Sequence, residues 1–440
     1  TDPLVQDTLP LRGRMDGDLF MTGDLGELSM EGTVDLVDPD SVGVVTADIL
    51  GRLGFQNGFS ASSLQVTLAP LEWGAMASLS PSMRLRGSGS VRLLLTGSLA
   101  GDGLGIDGEL THFPGGVESQ GTPGTEPEGE PGRLARAGGA SRVTVRGSVR
   151  SEAGRTFLNL SGDLSPLSLT AIRRSYPDLP LEGDYSGSVE VRGSLSDLEV
   201  RADLVTSGGP LQATARFDSR RPDRGYTLEV EAGEALVLST LVPSLPDPTR
   251  WSGYFFAQGR GFSPDSLAGT VRMEMQGGQM GPMRLDSVAV GGRVQDGLLH
   301  LDELVARGPG GSVVGEGTFG IASGAPPGEL AVEVRSESLE SFRPFIMEEP
   351  EVILDELSVF ERDLMAMEGV DLDTLPTAEE VAVGGRVQGR ATLTGGIRSF
   401  RGEGSLEFQD LRLRSDFVEA GDLTFSAQGL PGGEARLEAT

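Results

Sequence analysis

Residues Leu179–Leu204 read LPLEGDYSGSVEVRGSLSDLEVRADL, and their apolar positions recur at every second residue. Leu181, Gly183, Tyr185, Gly187, Val189, Val191, Gly193 and Leu195 share one parity. Glu182, Asp184, Ser186, Ser188, Glu190, Arg192 and Ser194 share the other. A period of two, with β-branched and leucine residues on one side, specifies a strand with one apolar and one polar face. The phase breaks at Ser196–Asp197, after which Leu198, Val200, Ala202 and Leu204 resume it. That break marks a turn into an antiparallel partner. The first strand is predicted to cover about 15 residues, roughly 50 Å, where ordinary strands are less than half as long. All of its glycines fall on the apolar parity. Glycine inside a strand marks a bend, a bulge or a close backbone approach. Here it is predicted to remove side chains where a long strand folds toward its own apolar side. Neighbouring strands of this kind would form a trough, apolar within and charged without.

The motif recurs. LPLRGRMDGDLFMTGDLGELSMEGTVDL at Leu9–Leu36 aligns with it without gaps, and so does VAVGGRVQGRATLTGGIRSFRGEGSLEF at Val381–Phe408. Gly13, Gly17 and Gly23 then fall on Gly183, Gly187 and Gly193, as do Gly385, Gly389 and Gly395. These nine are the predicted bend glycines. A weaker copy at Met83–Leu110 keeps Gly87 and Gly97. The apolar parity of the three strong copies gives the predicted lining of the trough. It comprises Leu11, Met15, Leu19, Met21 and Leu25; Leu181, Tyr185, Val189, Val191, Leu195, Leu198 and Val200; and Val383, Val387, Leu393 and Ile397.

Composition narrows the function. Glycine, at 65 of 440 residues, is about twice as frequent as usual without a collagen-like period. The net charge of −29, with no lysine among the 36 basic residues, disfavours nucleic acid, whose phosphates need a basic footprint. With no cysteine, disulfides and thiolate chemistry are excluded. No 18-residue apolar run is present, so no helix of this sequence is expected to span a membrane.

Along the chain, β-groove repeats are expected over 1–112, 142–338 and 381–440. A flexible Gly/Pro/Glu-rich insertion is expected at 113–141 and a mainly helical acidic one at 339–380. Short helices are expected near 165–177 and 234–246. The fold class predicted is all-β, a long antiparallel, curled sheet groove of about 30 strands at ~4.8 Å spacing. A second sheet covering the apolar face, giving a sandwich or closed barrel, is the competing solution.

Chemistry-bearing patterns are sparse. Of the two histidines, His112 is expected at a surface or turn and His300 on an exposed parity. GEGTFG at Gly315–Gly320 has the form G-x-G-x-x-G, but the following ASGAPPGE cannot open a helix, so a β-turn is expected. GLGIDGEL at Gly103–Leu110 is like one turn of a calcium-binding repeat, and one copy cannot stack, so a strand turn is expected. Asp35, Asp38 and Asp40 miss the EF-hand spacing. No catalytic residue, metal site or cofactor is expected.

The pattern L-x-G-x-x-x-G-x-[LV]-x-[LV]-x-G-x-L-x-x-L at Leu181–Leu198 resembles the repeats of the AsmA/TamB-like envelope proteins of bacteria. The Leu241–Met275 cassette, LVPSLPDPTRWSGYFFAQGRGFSPDSLAGTVRMEM, is similar to theirs as well. The resemblance extends over nearly the whole chain, apart from the segments near 113–141 and 339–380. It implies a periplasmic bridge along which phospholipid acyl chains move between inner and outer membranes. It also implies an inner-membrane anchor and an outer-membrane β-barrel partner, both reached through segments outside this sequence, which is expected to be an internal piece. A scaffold for assembling outer-membrane β-barrels and a surface-exposed β-solenoid stand as alternatives.

Overall fold

The computed structural model describes residues 14–24, 26–37, 44–56, 58–74, 85–114, 139–177, 179–218, 225–261, 266–281, 283–322, 326–343, 357–358, 365, 383–396, 399–413, 416–429 and 435–439. The described chain is all-β, built of long antiparallel strands with almost no helix. It divides into two compact units, Thr1–Pro222 with Val237–Leu245, and Asp223–Leu236 with Pro246–Thr440.

Among its described residues, unit 1 is an eleven-strand meander. Its strands are β1 (Arg14–Gly23), β2 (Leu28–Val37), β3 (Val44–Gly54), β4 (Ser60–Glu72), β5 (Ser88–Ser98), β6 (Gly103–Phe113), β7 (Ser141–Glu152), β8 (Arg155–Ser168), β9 (Asp184–Ser194), β10 (Asp197–Thr206) and β11 (Gly209–Asp218). Each pairs antiparallel with the next, and β6 and β7 pair directly across the segment 114–138. Tight turns fix the register. Ser194 Oγ accepts from the Asp197 N–H at 3.1 Å. Thr206 Oγ1 donates to the Gly209 carbonyl at 2.7 Å and accepts from the Gly208 N–H at 3.1 Å.

Unit 2 holds β12 (Gly225–Val237), β13 (Thr249–Arg260), β14 (Ala268–Met280), β15 (Met283–Gln295), β16 (Leu298–Gly308), β17 (Gly311–Gly320), β18 (Gly328–Ser336), β19 (Val383–Gly396), β20 (Ser399–Leu413), β21 (Asp416–Gly429) and β22 (Ala435–Ala439). From β13 onward each strand again pairs antiparallel with its successor. β18 and β19 do so although 46 residues separate Ser336 from Val383.

Several expectations need correction. The strand at the heart of the repeat starts at Asp184, not Leu181, and runs 11 residues. Leu181 precedes it and Leu195 sits in the turn after it, 59% exposed, so neither joins the sheet face. The described residues hold 22 strands. The helix near 165–177 shrinks to α1 (Leu169–Arg173), because Arg155–Ser168 extend as strand. Near 234–246 only a 3₁₀ turn at Leu238–Thr240 forms; of the expected helical insertion at 339–380, a 3₁₀ turn at Leu339–Phe342 is described, and 344–356, 359–364 and 366–382 lie outside the described residues. GEGTFG lies inside β17 and GLGIDGEL inside β6, so neither is a turn. Leu11, Gly13, Leu25 and Ile397 lie outside the described residues.

Candidate functional site

The register turns one-strand parity into rows that cross the whole of unit 1. Residues directly opposite one another run Leu19, Gly32, Ile49, Val66, Leu93, Gly108, Val145, Gly162, Val189, Ala202, Ala213, one from each strand. Every member is a hydrocarbon side chain or a glycine. The flanking row contains Leu160, Val191 and Val200 directly opposite one another, and begins at the paired Met21 and Met30. Unit 2 repeats the construction: Phe255, Met273, Val290, Leu304, Gly315, Val332, Ala391, Gly404 and Phe425 form one row. Leu393 of the third repeat copy pairs with Leu330 and Gly402, and Val387 with Phe408.

The opposite parity is polar along its length. Asp18, Thr33, Asp48, Thr67, Arg92 and Glu109 face one another in the adjacent row. Thr33 Oγ1 donates to Asp48 at 2.6 Å, and Arg216 grips Asp197 through Nε and Nη2 at 2.9 and 3.0 Å. Charges of both signs therefore cover this face with short cross-strand pairs, individually worth little in solvent.

Burial is uneven across the apolar face. Side chains at its centre, among them Val66, Leu160, Val189, Val191 and Val200, are all partly exposed. The interior of a sandwich would bury such positions fully. The strand ends are packed. One cluster joins Ala61, Leu64 and Leu104, with Leu53, Phe59 and Leu99 against it. The other joins Val45, Leu71 and Trp73, with Leu71 fully buried. β4 supplies both clusters and is bulged at both ends, between Ala61 and Leu64 and between Leu68 and Leu71. Bulges bend a strand and increase its twist, so β4 curls at each end and leaves its middle open.

The glycines act through the backbone. Gly187 (φ +133°) and Gly193 (φ +114°) occupy a region that L side chains rarely adopt. A Cβ on either would overlap a carbonyl oxygen of β10, that of Asp203 or Asp197. Gly17 meets the Thr33 carbonyl in the same way. The prediction that these residues relieve crowding among side chains is thus replaced by a close approach between strands. Gly23, Gly385 and Gly395 also have positive φ, whereas Gly389 does not.

One end of the strands forms a sealed seam that sequence reasoning missed. Trp73 is 5% exposed and sits edge-on to His112 with ring centroids 6.2 Å apart. His112, expected at the surface, is 2% exposed, and its Nε2 donates to the Arg86 carbonyl at 2.9 Å. The seam continues through Ser141, Ser168, Ala171, Tyr185, Thr206 and Leu241, all buried. Burial raises the pKa of the Glu72 carboxyl and the Tyr185 phenol. The available signal was the rarity of tryptophan: both of the chain's two indoles, Trp73 and Trp251, are buried on the apolar side near a glycine of the paired strand.

Chemically, the exposed centre of this face offers dispersion contacts and hydrophobic burial. Among the described residues no group of three or more His, Asp or Glu side chains is placed to hold a metal ion, and no helix is long and apolar enough to cross a membrane. No protein-family model, curated protein or solved structure matches the chain.

Proposed function

We propose that this chain is a non-enzymatic hydrophobic conduit that moves phospholipids across the periplasm between the inner and outer membranes. The observation behind this reading is the set of apolar rows that cross the eleven described strands of unit 1 while their central side chains remain partly exposed. An exposed apolar face of this extent marks a binding surface. Moving an acyl chain through water costs about 0.8 kcal/mol per CH₂, and a continuous apolar face offsets most of that. A face of Leu, Val, Ile, Ala and Gly, which offers no polar group to hold a headgroup, favours sliding over capture. The membrane anchor and the outer-membrane partner belong to this proposal through the resemblance, as does the envelope location.

A second reading, scaffolding of outer-membrane β-barrels by strand addition, draws on β1. Among the described residues β1 pairs only with β2, and it exposes Phe20 (70%) and Met21.

The test is a block in the middle of the face. Val145→Arg with Val189→Arg puts two charges on one row. Purified wild-type chain should carry phospholipid detectable by native mass spectrometry, and the double variant should lose most of it while keeping its β-sheet circular dichroism. Lipid retained undiminished by the folded double variant would refute the conduit.

A further inference from the structure

Strand β1 is an edge. Among the described residues it pairs with β2 alone, in ten consecutive residue pairs without a register shift. It carries neither a proline nor a bulge, two of the devices that keep an edge from pairing further. Phe20 is 70% exposed and Met21 56%.

The other two copies of the repeat show how such a strand is used. Gly17, Leu19 and Met21 of β1 correspond to Gly187, Val189 and Val191 of β9, and to Gly389, Ala391 and Leu393 of β19. In β9 those three lie opposite Leu164, Gly162 and Leu160 of β8, and in β19 opposite Val334, Val332 and Leu330 of β18. Both copies also pair with the strand that follows them, so in each the motif is paired along both edges. Burial follows the pairing. Gly17 and Met21 are exposed, whereas Gly187, Val191 and Leu393 are partly buried and Gly389 is buried.

Charge selects the occupant. Two copies of β1 laid antiparallel are related by a two-fold axis, and an axis centred on a residue keeps both apolar parities on one side. Of the centres Gly17, Asp18, Leu19, Phe20 and Met21, each except Leu19 sets aspartates opposite one another, drawn from Asp16, Asp18 and Asp24. Like charges directly opposite are destabilising. Centring on Leu19 instead puts Asp18 opposite Phe20, Asp16 opposite Thr22 and Arg14 opposite Asp24, while Gly17 receives Met21. The two Phe20 side chains then become diagonal neighbours, about 7–8 Å apart and within aromatic reach. We propose that β1 pairs antiparallel with β1 of a second copy of this chain, about a two-fold axis at Leu19. The apolar row through Leu19 then continues from one copy into the other.

The test uses the whole chain, which contains no cysteine of its own. Sedimentation velocity should give a dimer for wild type. Phe20→Asp, which faces Asp18 of the second copy, should weaken the dimer at least about tenfold while β-sheet circular dichroism is unchanged. Leu19→Cys sets two thiols face to face and should give a disulfide-linked dimer on mild oxidation. Met21→Cys, opposite Gly17, should not. A wild-type chain that stays monomeric overturns the proposal, as does a Met21→Cys chain that cross-links as readily as Leu19→Cys. In a monomer, hydrogen exchange would separate the remaining occupants: protected β1 amides point to a further segment of this chain, and unprotected ones to a different protein.

Discussion

Gly187 of β9 lies against Leu204 of β10 so closely that a Cβ added to it would overlap the Asp203 carbonyl oxygen. Its φ of +133° is itself costly for any other residue. The bend and the close strand approach are therefore one requirement, met only by the absence of a side chain.

Gly187→Ala should accordingly destabilise unit 1 by about 2–4 kcal/mol. Gly74, where an added Cβ meets nothing within 4 Å, is the control, and Gly74→Ala should stay within about 0.5 kcal/mol. Urea denaturation followed by circular dichroism distinguishes them.

The packed strand ends and the open centre should respond differently to truncation. Leu71 is fully buried in the seam, so Leu71→Ala should cost about 2–5 kcal/mol. Val189 is partly exposed in the folded chain, so Val189→Ala should cost less than about 1 kcal/mol. Equal costs, measured by the same denaturation, would mean that the centre is sealed as well.

On the polar face, Arg335 Nη2 donates to the Glu333 carboxylate at 2.7 Å. That hydrogen bond holds the Glu333 carboxyl below its ordinary value. A depressed folded-state pKa contributes stability that is present above the unfolded value and is lost as pH falls through the folded one. An NMR titration should find Glu333 among the more acidic glutamates, and Arg335→Gln should move it upward.

Much of the sheet was legible because a period of two leaves one face for each residue. Val189, Val191, Leu198 and Val200 fall on the apolar rows as their parity requires, and Glu190 and Arg192 fall on the polar face, joined at 2.9 Å. Tight turns such as that after Ser194 then carry parity from strand to strand. The seam was not legible. Leu71, His112, Ser168 and Leu241 come from distant segments and share no local period, so their burial is decided only by packing between those segments. His112 illustrates the difference. Its neighbours in sequence suggest a surface, but Trp73, from another strand's end, encloses it. The glycine partners were equally hidden, since the Asp203 carbonyl that excludes a side chain at Gly187 lies 16 residues away in sequence.

The central claim, an apolar face open to lipid, is tested most directly by photo-crosslinking in cells. A benzophenone amino acid is placed at Val191, opposite Leu160 and Val200, and in a control at Glu190 on the polar face. Phospholipid adducts at Val191 and none at Glu190 are predicted. Adducts from Val191 solely to the chain itself would show the face sealed by protein and contradict the conduit.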